Sequence, residues 1–233
     1  MHQSAGPFDR ARAEAILTQA GWLALQPPEL QREVLRSARL VQLKPGEIVY
    51  RVGDPLGGIY GLVGGVVAVS VAPMKTAPRL VHISEPGSWI GEGCFLTKQP
   101  RRVEVRALDH AWLLHLPLED MDRMAADSPE AARQFGAISV LNGDRLIRLV
   151  YDLLIRDVTR RIAAVLERLA SGNERFVPLS QAEVGAMANA SRKQVNAALQ
   201  RFEAKGWVQL SYGAVTIADA RALRGFAADE DGV

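Results

Sequence analysis

Apolar residues recur along the chain in three different periods. From Asp9 to Gln19, Ala13, Ile16, Leu17 and Ala20 fall at helical spacing. Gly21 closes that segment, and after Pro27–Pro28 the residues Leu30, Val34 and Leu35 share one helical face. From about Arg39 to Leu116 the pattern shifts to short runs such as Val66–Val67, Leu80–Val81–Ile83 and Trp112–Leu113–Leu114, broken by Pro45–Gly46, Gly57–Gly58, Gly64–Gly65 and Pro86–Gly87. Such runs at turn-sized intervals predict an antiparallel barrel or sandwich, not alternating βαβ units.

From about Pro117 the pattern is helical again. Residues 129–157 contain no proline after Pro129, and Ala131, Phe135, Ile138, Asn142, Leu146, Leu149 and Leu153 form a near-heptad series. Other faces of the same stretch carry Val140, Leu141, Ile147, Val150, Tyr151 and Leu154, more apolar surface than one domain ordinarily covers. The expectation is a helix over 129–157 that pairs two copies of the chain through Phe135, Ile138, Asn142, Leu146, Leu149 and Leu153, with Asn142 setting the register. Residues 158–225 read as a compact helix-rich unit, followed by an acidic tail containing Asp229, Glu230 and Asp231.

The segment from Ser180 to Leu210 narrows the function. Ser180 with Glu183 has capping-box spacing, Ala182, Val184, Met187 and Ala188 are the apolar positions of a short helix, and Asn189 suits a left-handed turn residue. Ser191 caps a second helix with the stripe Val195, Ala198, Leu199 and Phe202; Gly206 ends it, and strand alternation follows around Tyr212–Gly213. Helix, tight turn, helix and hairpin make a winged helix-turn-helix. Its second helix would present Arg192, Lys193, Gln194 and Asn196 to base edges, Arg and Lys toward guanine and Gln or Asn toward adenine, while Ser180, Gln181 and Ser191 meet phosphates.

Charge supports that reading only locally. The 233 residues carry a net charge of +2, which by itself announces no nucleic-acid partner. Between Asp157 and Arg224, however, ten Lys and Arg face six Asp and Glu, a net of +4 that leaves the remainder at −2. Composition bounds the rest. With 48% hydrophobic residues the chain is globular, and no apolar run reaches membrane-spanning length, so a cytoplasmic protein without a membrane partner is expected. The single cysteine, Cys94, excludes an intrachain disulfide and a cysteine-held iron–sulfur cluster, and no metal site is expected. No nucleophile triad, P-loop or HExxH pattern is present, so an enzyme is not expected.

Three segments in order then resemble the Crp/Fnr family of transcription regulators. They are the glycine pattern of residues 43–71, the Asp157–Ala163 stretch, and the helix-turn-helix with Glu183-Val184-Gly185 and Ala190-Ser191-Arg192. The resemblance implies an α+β chain. Residues 1–128 would form an N-terminal antiparallel β-roll, resembling a cyclic-nucleotide-binding jelly roll, with N-terminal helices. Residues 129–157 would be a long dimerisation helix and hinge. Residues 158–233 would be a C-terminal winged helix-turn-helix that binds double-stranded DNA as a homodimer, with RNA polymerase as a further family partner.

The resemblance also implies an effector site at Gly91, Glu92, Gly93, Cys94, Arg101 and Arg102, where Glu92 would accept from a ribose hydroxyl and Arg101 would pair with a cyclic phosphate. The other reading of Glu92 and Arg101 is a structural ion pair. Arg102 and Val103 replace the family's hydroxyl and alanine, and the polar pair that cyclic-AMP binders carry on the long helix falls on Leu146 and Ile147. Cyclic AMP is therefore disfavoured, no cofactor is assigned, and the effector stays open between a cyclic nucleotide and another small molecule. The alternative function is a cyclic-nucleotide-binding signalling module whose DNA function is reduced or lost.

Overall fold

The computed structural model describes residues 9–72, 78–170, 175–211 and 213–228. Two compact units divide the chain, Met1–Asp144 and Arg145–Val233, and the division falls inside one long helix.

The first unit opens with α1 (Arg10–Gln19), a 3-10 turn at Leu23–Leu25 and α2 (Pro28–Ser37). Asp9 caps α1 by accepting from the Arg12 amide at 2.7 Å. Eight strands follow: β1 (Arg39–Leu43), β2 (Ile48–Tyr50), β3 (Ile59–Gly64), β4 (Val67–Val71), β5 (Arg79–Ser84), β6 (Trp89–Ile90), β7 (Glu104–Ala107) and β8 (Ala111–Leu116). They make two four-stranded antiparallel sheets, ordered β1-β8-β3-β6 and β2-β7-β4-β5. A short helix α3 (Gly93–Thr97), not foreseen from the strand-rich pattern, follows β6; α4 (Leu118–Asp127) and α5 (Pro129–Leu154) follow β8.

Side-chain alternation along β8 sorts the apolar residues into two cores. Leu113 packs between the sheets with Tyr50, Leu62, Val67 and Val105. Leu114 and Leu116 point the other way, into a larger core with Leu17, Trp22, Val34, Trp89, Met121 and Phe135. Phe135 stacks on Trp22 with ring centroids 5.6 Å apart.

That core corrects the expected dimer seam. Ala131, Phe135 and Ile138 are buried inside their own chain. Heptad spacing identified one apolar face of α5, and helices and sheet of the same unit cover its first half. Asn142, half-buried, donates within its own chain, to Glu92 at 3.0 Å and to the Trp89 carbonyl at 3.3 Å. The helix also stops at Leu154, short of residue 157.

The second unit takes the end of α5 and adds α6 (Val158–Leu169), β9 (Arg175–Val177), α7 (Gln181–Ala188), α8 (Arg192–Ala204), β10 (Val208–Ser211), β11 (Ala214–Ile217) and α9 (Ala220–Ala228). Asp157 caps α6 through the Arg160 amide at 2.8 Å. The expected hairpin is a three-stranded sheet, β10-β11-β9, because β9 adds to the free edge of β11. Tyr212 of the predicted turn and the acidic stretch Asp229–Asp231 lie outside the described residues. Phe202 of α8 stacks on Trp207 at 5.7 Å and meets Phe226 of α9 edge-on at 5.7 Å, which fastens both to the helix pair.

Candidate nucleic-acid interface and effector site

The seven residues predicted to face DNA sit at the N-terminal ends of α7 and α8. Ser180 caps α7 in a reciprocal box with Glu183, and Ser191 caps α8 in a second such box with Gln194. Between them Asn189 takes the left-handed conformation, φ 46° and ψ 53°. The turn folds back so closely that a Cβ on Gly185 would lie 2.7 Å from the Ala190 carbonyl oxygen. Val195, Ala198, Leu199 and Phe202 fill the buried face of α8, which leaves Arg192, Lys193, Gln194 and Asn196 exposed together.

Two of those side chains are already engaged. The Gln194 amide oxygen accepts from the Ser191 amide at 2.9 Å and the Ser191 hydroxyl at 2.8 Å. Gln181, half-buried, donates to Asn196 Oδ1 at 3.4 Å. The hydroxyls of Ser180 and Ser191 serve the caps, so phosphates would meet the backbone amides at these helix starts. The second capping box follows from the Ser191-x-x-Gln194 spacing, so Gln194 has a capping role besides the recognition role expected of it.

Residues that the sequence did not single out hold this reader in place. Arg161, buried, sends Nε to the Ala188 carbonyl at 2.6 Å and Nη2 to the Asn189 carbonyl at 3.2 Å. Its Nη1 reaches the Ile155 carbonyl at 2.6 Å, in the break between α5 and α6. Asp152, 1% exposed, accepts from Arg148 at 3.2 Å and Arg168 at 2.8 Å. Glu167 accepts from Arg148 at 2.9 Å and Arg224 at 2.6 Å. One charge network therefore fastens the last turns of α5 to α6 and α9. Beyond it α5 leaves apolar side chains uncovered, Ile147 at 70% and Leu154 at 73% exposure, with Leu146, Val150, Tyr151 and Leu153 also exposed and Leu149 half-buried.

In the first unit, Gly91, Glu92, Gly93 and Cys94 run from β6 into α3. Arg101, 6% exposed, donates to the Gly91 carbonyl at 2.9 Å and the Gly58 carbonyl at 2.8 Å. Its guanidinium carbon lies 4.1 Å from the Tyr50 ring centroid. Gly91 has φ +102°, and a Cβ there would sit 2.9 Å from the Gly58 carbonyl oxygen, so glycine is needed on both counts. Glu92 faces α5 instead, accepting from Ser139 Oγ at 3.1 Å and Asn142 Nδ2 at 3.0 Å.

The other reading of Glu92 and Arg101, a structural ion pair, is not what forms: each has its own set of bonds. Cys94 is buried and Arg102 exposed. Burial raises the pKa of the Tyr50 and Tyr60 hydroxyls against the opposing pull of Arg101, so both remain protonated donors. Burial, with Arg101 and Arg39 nearby, lowers that of His115, which stacks on Tyr60 at 4.4 Å. Among the described residues no group of His, Cys, Asp and Glu is placed to hold a metal ion, and no helix is long and apolar enough to cross a membrane.

Comparison with known proteins agrees with this geometry at both ends. Residues 40–128 match the cyclic nucleotide-binding domain, and residues 160–226 match the Crp-like helix-turn-helix domain. A CRP-like cAMP-activated global transcriptional regulator of Mycobacterium tuberculosis is 25% identical over 218 residues, 90% of this chain and 97% of the relative. The CRP-like protein Clp of Xanthomonas campestris is 26% identical over 171 residues, 68% of this chain and 74% of the relative. The fold is shared with a CRP/FNR-family transcriptional regulator of Thermus thermophilus, with TM-score 0.64 and 19% identity over 83% of this chain and all of that one. With a nucleotide-binding-type β-roll followed by a Crp-like reader, the chain belongs to the Crp/Fnr family of transcription regulators.

Proposed function

We propose that the chain is a homodimeric, sequence-specific DNA-binding regulator whose β-roll tunes the reader. The observation that carries this is the capped helix pair α7–α8, with Arg192, Lys193, Gln194 and Asn196 exposed at the start of α8. Two half-sites about one helical turn, roughly 34 Å, apart suit such a dimer. The dimer contact is the exposed stripe Ile147, Val150, Tyr151 and Leu154, not the buried Phe135 and Ile138. RNA polymerase is the family's further partner.

Cyclic AMP is disfavoured as the effector of this β-roll, although the M. tuberculosis relative is named as cAMP-activated. Ser139 and Asn142, polar residues of α5, are bonded to Glu92, and Leu146 and Ile147 offer nothing to an adenine edge. Arg101 keeps unshared N–H groups, so the site retains an anion-binding character for a small molecule of another kind.

The test is a gel shift on genomic fragments with wild type and Lys193→Ala, with and without cyclic AMP. The reading expects preferred fragments, weaker binding by the variant, and no response to cyclic AMP. Absence of any preferred fragment, with tight nucleotide binding by calorimetry, would instead indicate a signalling module.

A further inference from the structure

At the start of α8 the side chains facing outward have donors to give and almost no acceptors. Arg192 and Lys193 are exposed and carry donors only. Gln194 has both donor and acceptor by type, yet its oxygen is held by the Ser191 amide and hydroxyl. A backbone N–H can only donate, so this bond fixes which way the Gln194 amide turns, oxygen inward and Nε2 outward. Asn196 Oδ1 accepts from Gln181 in one long, exposed bond of 3.4 Å and keeps a second lone pair, so Asn196 is not fixed as Gln194 is. The first acid on α8 is Glu203, near its far end, where it accepts from the Leu210 amide at 3.0 Å. Gln200 lies a turn beyond Asn196, past the N-terminal turns that enter a groove.

We propose that the first turn of α8, Arg192 to Gln194, is a donor-only reader. It selects bases whose major-groove edges offer acceptors, guanine through N7 and O6 and thymine through O4, on the strand it faces. Cytosine presents only its N4 donor, which a protein donor leaves unpaired; adenine presents N6 as a donor beside the N7 acceptor, so a donor there makes one bond and leaves N6 unmet, whereas guanine and thymine offer no opposing donor. The adenine pairing that a Gln side chain suggests needs its amide oxygen, and that of Gln194 is spent on two bonds inside the protein. Ser191 and its capping box with Gln194 are therefore specificity-determining, although Ser191 touches no base itself. The inference rests on the DNA-reading function proposed above and deepens it.

Selection from a randomised duplex pool with the full-length chain tests it, run in parallel with Gln194→Glu. Glutamate keeps the capping box, as Glu183 does for Ser180, and turns the outward group from donor to acceptor. Wild type is expected to enrich G or T at the contacted positions. Gln194→Glu is expected to move one position per half-site to C or A and to bind the wild-type site about 5- to 140-fold more weakly. Guanine replaced by 7-deazaguanine in the wild-type site, which needs no protein variant, is expected to weaken binding as well.

Enrichment of A or C by wild type at the position governed by residue 194, or an unchanged consensus and affinity for Gln194→Glu, overturns the inference. If wild type enriches nothing and binds all duplexes alike, the DNA-reading function itself fails and takes the inference with it.

Discussion

Arg161 Nε lies 2.6 Å from the Ala188 carbonyl oxygen, at the last residue of α7. The same guanidinium bonds the Asn189 and Ile155 carbonyls, so one side chain ties the helix-turn-helix corner to the break after α5. Three carbonyls around one buried cation exploit a planar fork that lysine lacks. Arg161→Lys is expected to cost about 2–3 kcal/mol, read by urea denaturation. A loss below about 0.5 kcal/mol would mean that the three bonds do not hold the corner.

The Asp152–Arg168 pair is buried on both sides, at 2% and 10% side-chain exposure. Asp152→Ala leaves the Arg168 charge without its partner and is expected to destabilise the chain by about 3–5 kcal/mol in the same measurement. Glu167→Gln is expected to cost less, because both its arginine partners, Arg148 and Arg224, are more than half exposed and screened by solvent. Equal effects of the two substitutions would contradict the ranking by burial.

How much of this was open to a sequence reader depends on what each signal encodes. The pair α7–α8 was legible because caps, turn residue and apolar stripe are all local: Ser180 with Glu183, Asn189, Ser191, and Val195 through Phe202. The strands of the β-roll were legible from period and glycine spacing. The seam on α5 was misread because periodicity reveals an apolar face and is silent on what covers it; Phe135 and Ile138 proved to face Trp22, Trp89 and their neighbours. The Asp152–Glu167 network was invisible for a related reason, since a buried charge and a solvated one look alike in a string of residues. β9 has three residues, too few for alternation to register.

Ile147 and Leu154 are seven residues apart on α5 and expose most of their surface. Ile147→Asp is expected to convert a dimer into a monomer in sedimentation equilibrium. Its thermal transition should stay close to wild type when measured at a concentration where both are monomeric, since Ile147 is 70% exposed within its own chain. A wild type that sediments as a monomer at tens of micromolar would contradict the assigned face.

His115 has a lowered pKa in the fold, from burial first and then from Arg101 and Arg39. The unfolded chain takes up its proton near pH 6.5, while the folded chain resists protonation until the pH is lower. Between those values the unfolded state binds more protons, so stability falls as pH drops through this window and the penalty is absent above it. Wild type is expected to lose more thermal stability than His115→Gln between about pH 7.5 and 5.5. Parallel curves for the two proteins would remove His115 from the account.

The central claim is that the outward face of α8 reads sequence, and fluorescence anisotropy tests it most directly. The dissociation constant of the protein is measured for its enriched duplex and for a scrambled duplex of the same composition, at one fixed salt concentration. The account predicts a ratio of at least about a thousandfold, shrinking on Lys193→Ala. A ratio near one, with binding that depends on salt alone, would contradict it.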